Sequence, residues 1–479
     1  MRKRIYLILL LVVFIGLASF CARKAPEINK DDVKALLENI AQSPMELEIK
    51  ADLSDINIEP GKEKSQYQIT LTNPEVIFST AVYKHLNMEF PEFDIPIEMG
   101  KMVMIYDPLE NNIQLKSAEK IKCTLMLSEI ISAFKSQQMD EGQEVPELTV
   151  HYYLENMALE GYDISALLDA KEKSFEEVLT DLIASNNKMK VKAEGLKVNI
   201  TGQKGDVKTI ELSMGGMESF FQAEPGLVTA FLQKQDSVDI LSELLEKKEP
   251  LIDLEIRADG MDLLVDTSKQ NIRAGLDKAG FSYSLKPSQE GDYFDFTSGW
   301  NLESLEVEGI PEKALIFTKL NEAVSTFSIE NLSPEFINAY FDLAKIGQSA
   351  GAAKDAAVQQ EIAMKGLILV GKLIESKPII KISLSPIDHY FGEIQAKGEF
   401  QFIRIGPPVG KAEAKIMDMD KMGQNIKQSL PPERAGTVIN WLKKMFQVDE
   451  SGQAKMTFEI KKDDPSHFYL NGEKHAFNQ

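Results

Sequence analysis

The sequence predicts an α+β protein: extended, twisted antiparallel β-sheet with amphipathic helices packed along it, built from diverged helix-plus-hairpin repeats. Three observations predict it. Apolar and polar residues alternate along many runs, as in sheet strands with one dry and one wet face. Helical apolar spacing precedes several of these runs. Three of the alternating stretches read alike.

The chain opens on "MRKR", three positive charges in four residues, followed by the uncharged apolar run "IYLILLLVVFIGLASF". This is the pattern of an export signal. Its 16 residues fall short of the roughly 20 that span a bilayer as a helix. Cys21 stands at the end of the run, after Leu17, Ala18 and Ser19, which look similar to the motif before the lipidated cysteine of bacterial lipoproteins. Phe20 departs from that motif, where Gly, Ala or Ser is usual. Three outcomes stay open: lipidation of Cys21, ordinary cleavage after Ala18 or Ser19, or an uncleaved anchor. Each places residues 25–479 outside the cytoplasm, on the periplasmic side of a bacterial envelope, with the membrane reached through the N-terminus.

Beyond the leader, "DDVKALLENIAQSP" carries Val33, Leu36, Leu37 and Ile40 at helical spacing, with Asp31 or Asp32 placed to cap the start. "SFEEVLTDLIASNN" repeats the pattern, and Ser174 with Glu177 forms a capping-box signature. "DSVDILSELLEKKEP" does so again, and Pro44, Pro250 and Pro378 mark helix ends. Each helix leads into one of the similar stretches: "LEIKADLSDINIE" (47–59), "VKAEGLKVNIT" (191–201) and "LEIRADGMDLLVD" (254–266). The first and third agree at six of 13 positions. Each reads as strand, short polar turn, strand. Further extended runs include "GFSYSLKP", "DYFDFTSGW" and "GEIQAKGEFQFIRI", and polar connections lie at 136–147 and 286–292. We divide the chain into the leader (1–21), an N-terminal α+β repeat region (25–290) and a C-terminal α+β region (291–479).

Loss of the leader with Arg2, Lys3 and Arg4 takes the net charge from −21 down three units to −24. So acidic a chain repels nucleic acid and anionic phospholipid surfaces as a whole. If Cys21 is consumed or removed, Cys123 remains alone, so no internal disulfide forms and stability rests on burial. The five histidines are scattered, and no HExxH, P-loop, GxGxxG or GxSxG motif occurs. "DMDKMG" (418–423) begins like a calcium loop but lacks later oxygen ligands, and reads as a solvated turn. No cofactor, metal site or catalytic residue is expected, and the chain reads as a non-enzyme.

The order of elements in the later chain, mainly residues 325–479, carries a resemblance. "FSIENLSPEFINAYFDLAK" reads as strand then helix, "LIESKPIIKISLSPIDHYFGEIQAKGEFQF" as helix, proline break and two strands, and "FYLNGEKHAF" as a closing hairpin. This order resembles the bacterial envelope family DUF945, which includes the YdgA proteins, and more loosely AsmA-like envelope proteins. The resemblance implies an exported or membrane-anchored protein of long antiparallel sheets, and supplies no catalytic residues.

The functional expectation is a membrane-attached envelope protein that binds or shields lipid or another apolar ligand in a sheet groove. Methionine clusters, with Met102 and Met104 as groove candidates, offer an adaptable lining. Methionines also fill ordinary cores, the more usual role. The alternative is a structural, interaction or assembly-factor protein of the envelope with a filled core and a protein partner.

Overall fold

The computed structural model describes residues 27–63, 65–86, 92–126, 148–202, 207–226, 238–248, 250–268, 270–289, 292–309, 319–349, 356–389, 392–403 and 406–477. The leader and Cys21, and the connection at 136–147, lie outside the described residues. Among the described residues no helix is long and apolar enough to cross a membrane.

Helix α1 (Lys30–Ala41) starts where Asn29 accepts from the amides of Asp31 and Asp32, while Asp32 accepts from the Asn29 amide. The capping residue is thus Asn29, with Asp32 as its reciprocal partner rather than the cap. Its apolar stripe, Val33, Leu36, Leu37 and Ile40, is buried. It packs onto short strands β1 (Leu47–Lys50), β2 (Asn57–Pro60), β3 (Tyr67–Thr72), β4 (Glu75–Ser79), β5 (Asp94–Glu98) and β6 (Lys101–Asp107). Ile69, Leu71, Met104 and Ile113 are fully enclosed there. Burying each such side chain contributes about 1.5–3 kcal/mol. Helix α2 (Phe175–Ser185) closes the same core through Val178, and its start has the capping box of Ser174 and Glu177.

From β7 (Asn112–Met126) the chain becomes a meander of long strands: β8 (Leu148–Glu160), β9 (Lys188–Gly202), β10 (Val207–Ala223), β11 (Ile252–Thr267), β12 (Asn271–Pro287), β13 (Phe294–Glu308) and β14 (Lys319–Leu332). It continues through β15 (Ile379–His389), β16 (Gly392–Gln401) and β17 (Val409–Ile416). The small strands β18 (Gln447–Val448), β19 (Ala454–Ile460), β20 (His467–Leu470) and β21 (Glu473–Ala476) finish it. All the described strands join one antiparallel 21-stranded sheet. The division placed at 290/291 falls between β12 and β13, which pair along their length.

Five more of the described helices sit beside the sheet. Helix α3 (Val238–Lys247), α4 (Pro334–Ser349) and α5 (Ala356–Ser376) surround a second core of Leu241, Leu244, Leu251, Phe294 and Ile337. Helix α6 (Met419–Ser429) and α7 (Pro432–Met445) bury Met419, Met422, Ile426, Ala435 and Ile439 against Ile416 and Ala454. The sequence reading missed this last pair, although Pro432 in the first turn and Ala435, Ile439 and Leu442 at helical spacing signal a helix. "DMDKMG" is not a turn: Asp418 caps α6 by accepting from the Lys421 amide.

The helices before the three similar stretches are present, but the hairpins are not. Segment 47–59 is two short strands that pair with other strands, β1 with β4 and β2 with β3. Segments 191–201 and 254–266 lie inside single continuous strands, β9 and β11. What looked like a turn is a kink. Gly195 (φ 69°) and Gly260 (φ 61°) take left-handed conformations in mid-strand, as do Lys120 (φ 53°) and Ser304 (φ 58°).

These kinks line up. The β7–β8 ladder passes over Lys120 and Glu155, and β9–β10 passes over Gly195 and Gly215. The β11–β12 ladder passes over Gly260 and Asp277, and β13–β14 over Ser304 and Asn321. The residues these ladders pass over thus form a transverse crease from β7 to β14. Because both strands of a pair skip one residue, register is kept. The side-chain alternation, however, shifts by one. Ala258 and Met261, three apart instead of two, then share a face. The packing of Ala118 with Ile121, Leu154 with Met157 and Ala193 with Leu196 in one cluster reports the same shift.

Two substitution pairs check this account. At Gly195 a Cβ meets the Glu155 Cβ at 2.8 Å in a left-handed backbone, so Gly195→Val should cost about 1–3 kcal/mol. Gly275 has open space and no positive φ, so Gly275→Val should leave the urea midpoint nearly unchanged. Ile49 is 8% exposed in the closed N-terminal core, and Ile49→Asp should cost about 4 kcal/mol or more. Ile256 sits on a half-open face, and Ile256→Asp should cost well under half of that by the same measurement.

Candidate functional site

With alternation kept in phase, the long strands present one apolar face. On the helix side of the crease one row runs Ile256, Phe281, Trp300, Ser325, Leu384, Ala396, Ala414 and Met456 across β11 to β19. The adjacent row is Phe221, Leu254, Tyr283, Ser298, Phe327, Ile382, Gly398, Ala412 and Phe458. Beyond the crease, Val198, Leu212, Leu263, Ala274 and Val307 form a third row. Ile200, Ile210, Val265 and Ile272 form a fourth.

Helices close this face only at its ends, among the described residues. The three helix-covered cores involve the N-terminal unit, the β11–β14 ends near α3 and α4, and the C-terminal pair. Between them large apolar side chains stay in contact with solvent: Phe281 is 41% exposed, Trp300 39% and Ile382 43%. Aromatic side chains knit the strip laterally. Tyr283 meets Phe296 edge-on at 5.0 Å, and Phe296 meets Phe327 at 6.0 Å. Farther along, Phe400, Phe458 and Phe468 follow at 6.1 and 5.6 Å.

The opposite face is charged. Lys190 pairs with Glu218, Arg273 with Asp262, Lys278 with Glu303, and Glu413 with both Lys415 and Lys455. These pairs are largely open to water and each adds little to stability. Side chains of this face line several depressions of the sheet. One of about 350 Å³ opens over Gly280 and Gly299 between Arg257, Asn301 and Thr326. Another of about 500 Å³ lies among Lys381, Lys397, Lys411 and Glu413. Both are shallow depressions where glycine leaves a gap between charged neighbours, and neither gathers the acid, base and nucleophile of a reaction centre.

The sequence-based candidates fall elsewhere. Met102 and Met104 lie on β6, 3% and 1% exposed, within the closed N-terminal core. They fill that core and line no groove, because β3 and β7 flank β6 and α1 covers it. Met419 and Met422 likewise fill the core under α6 and α7. Cys123 is a free, half-buried thiol opposite Tyr152, and burial raises its pKa. Among the described residues no group of three or more His, Cys, Asp and Glu could hold a metal ion. The residues that do form an open apolar surface, Ile256, Phe281, Trp300 and Ile382, were read only as parts of separate extended runs. Their assembly depends on cross-strand register, which no local pattern reports.

The terminal hairpin β20–β21 has one dense polar cluster. Its turn is Asn471-Gly472, both at positive φ, the pair that a tight hairpin demands. Asp464 accepts from Tyr469 Oη at 2.7 Å and Lys474 Nζ at 2.6 Å, with His467 Nδ1 2.7 Å away. These partners, Lys474 first, hold the Asp464 carboxyl far below its ordinary value of 3.8. His475 stacks on Phe468 with ring centroids 5.1 Å apart. A depressed carboxyl contributes stability above its unfolded pKa, and the contribution is lost as pH falls below about 4. Asp464→Asn should therefore lower stability at pH 7 and flatten its decline between about pH 4 and 2, as read from urea unfolding at stepped pH. Comparison with known proteins adds nothing to this geometry: no family model, no curated protein and no solved structure matches the chain.

Proposed function

We propose that this chain is a non-catalytic, membrane-attached protein of the bacterial envelope that holds acyl chains or a similar apolar ligand against the uncovered face of its sheet. One observation supports the reading above the others. The rows through Ile256, Phe281, Trp300, Phe327 and Ile382 form a continuous apolar strip with no helix over its middle among the described residues. With strands about 4.8 Å apart, the strip from β10 to β16 runs for roughly 30 Å. A contiguous apolar surface of that extent marks a site of association. The basic-then-apolar leader supports attachment to the membrane, and the DUF945-like order of elements agrees with an envelope setting.

A second reading rests on a different surface. Met364, Leu367, Ile368 and Val370 on α5 are 51–74% exposed, with Tyr340 of α4 also exposed. That patch suits a protein partner and favours an assembly or interaction role.

The readings separate on ligand uptake. Long-chain detergent or phospholipid should raise the melting temperature through preferential binding to the folded protein. Phe281→Glu and Ile382→Glu should reduce retention of a fluorescent fatty acid about tenfold or more with little effect on melting, since both sites already face water. Protein that carries no lipid from its host and gains no stability from any acyl compound would refute ligand holding and leave the interaction role. For the attachment, Cys21→Ser should move the protein from the membrane to the soluble fraction. If it stays membrane-bound with Met1 intact, an uncleaved anchor replaces lipidation.

A further inference from the structure

The charge of the chain is unevenly placed. Residues 377–479 hold 15 Lys and Arg against 13 Asp and Glu, so they are +2, and the first 376 residues are −23 within the total of −21. The basic excess centres on α6 and α7. From Met419 to Met445 there are five cations (Lys421, Lys427, Arg434, Lys443, Lys444) and two anions (Asp420, Glu433).

Helix α7 has two unlike sides. Ala435 and Ile439 are buried, with Leu442 and Phe446 packed beside them over Met419, Met422 and Ile426. On its outer side Trp441 is 56% exposed and Val438 36% exposed. Spacings of three and four residues put Arg434, Val438, Trp441 and Lys444 along that side, and Lys443 flanks it. On the sheet, cations such as Arg273 and Lys278 pair with facing carboxylates. Arg434, Lys443 and Lys444 are exposed and make no ion pair among the described residues. A large indole left in water beside unpaired cations has no role in the core beneath it.

We propose that the outer side of α7 docks onto an anionic phospholipid surface, Trp441 and Val438 entering the headgroup layer and Arg434, Lys443 and Lys444 meeting lipid phosphates. The pairing of an amphipathic aromatic with basic residues on one exposed helix side is what an interfacial helix requires. Charge complementarity selects the occupant: the rest of the molecule is repelled by an anionic bilayer, so this helix sets which end approaches it. The docking is separate from ligand holding on the sheet and from attachment through residues 1–24, and it orients the body of the protein relative to the membrane.

The chain has two tryptophans, so Trp300→Phe leaves Trp441 as sole reporter in the full-length protein. Its emission should shift to the blue on vesicles containing phosphatidylglycerol. Brominated phosphatidylglycerol should quench it at least twofold, while vesicles of brominated phosphatidylcholine alone leave it unchanged. Salt at about 0.5 M should reverse the effect by screening. Combined Arg434→Glu, Lys443→Glu and Lys444→Glu should abolish it with at most a small fall in melting temperature, from anions in the last turn of α7. Insertion of the leader cannot mimic the signal, because the leader contains no tryptophan. Emission that ignores anionic vesicles, equal quenching in neutral ones, or quenching that survives charge reversal would overturn the proposal. So would a shift produced by polyglutamate or nucleic acid without quenching by brominated lipid, which gives the surface to an acidic macromolecule.

Discussion

The pleat of a strand allows two faces and no third choice, so a strand of 15 to 17 residues stays amphipathic only if its alternation holds from end to end. Here it does not hold. Apolar positions in β11 run 254, 256, 258 and then 261, 263, 265. Without correction, half of every long strand would turn its apolar side to the charged face. The crease makes the correction. One left-handed residue in alternate strands, set against a residue of the next strand that the ladder also passes over, shifts these strands by the same step. The correction works only collectively, because a strand that kinked alone would lose register with both neighbours.

Stability is consequently divided. Three cores closed by helices hold most of the fully buried side chains, and the middle of the sheet holds half-buried ones. Small side chains line the crease on the apolar side: Ala118, Ala193, Ala258 and Ala323 are nearly inaccessible, since alanine lets neighbouring larger groups close over it. The central strands are therefore held chiefly by backbone ladders and lateral side-chain contacts. That is a different balance from a sandwich, in which a second layer would bury the same face.

Much of this was legible in the sequence where the physics is local. Caps, proline stops and helical spacing located α1, α2 and α3, and Asn471-Gly472 located the last hairpin. Alternation located strands. It misled at Ala258 to Met261, where a break in phase has two causes, a turn or a kink, and only pairing with β10 and β12 distinguishes them. Methionine misled for a similar reason. Met102 and Met104 alternate with Val103 and Ile105, a pattern compatible with an open face or a covered one. The covering comes from α1, some 60 residues earlier in the chain. The open strip was illegible because its members come from strands separated by whole helices. The α6–α7 pair was legible and was overlooked among the methionines.

The two faces of the sheet constrain what the protein can do. On the charged face several cations and carboxylates pair across strands, Lys190 with Glu218, Lys278 with Glu303 and Lys455 with Glu413. Among the described residues the apolar face has no such internal partner over its middle. Its aromatic side chains touch each other edge-on, which stabilises the row, while Phe281 and Trp300 remain exposed to water. An ordinary sheet would gain by covering that area with a helix, at about 25 cal/mol for each Å² removed from water. The described amphipathic helices lie at the ends of the strands. Leaving the middle open forgoes stabilisation at every row, and it is the part of the architecture that burial within the described chain does not explain. An apolar occupant from outside the chain would supply the missing layer, which is why the ligand-holding role accounts for more of the structure than a filled-core role does.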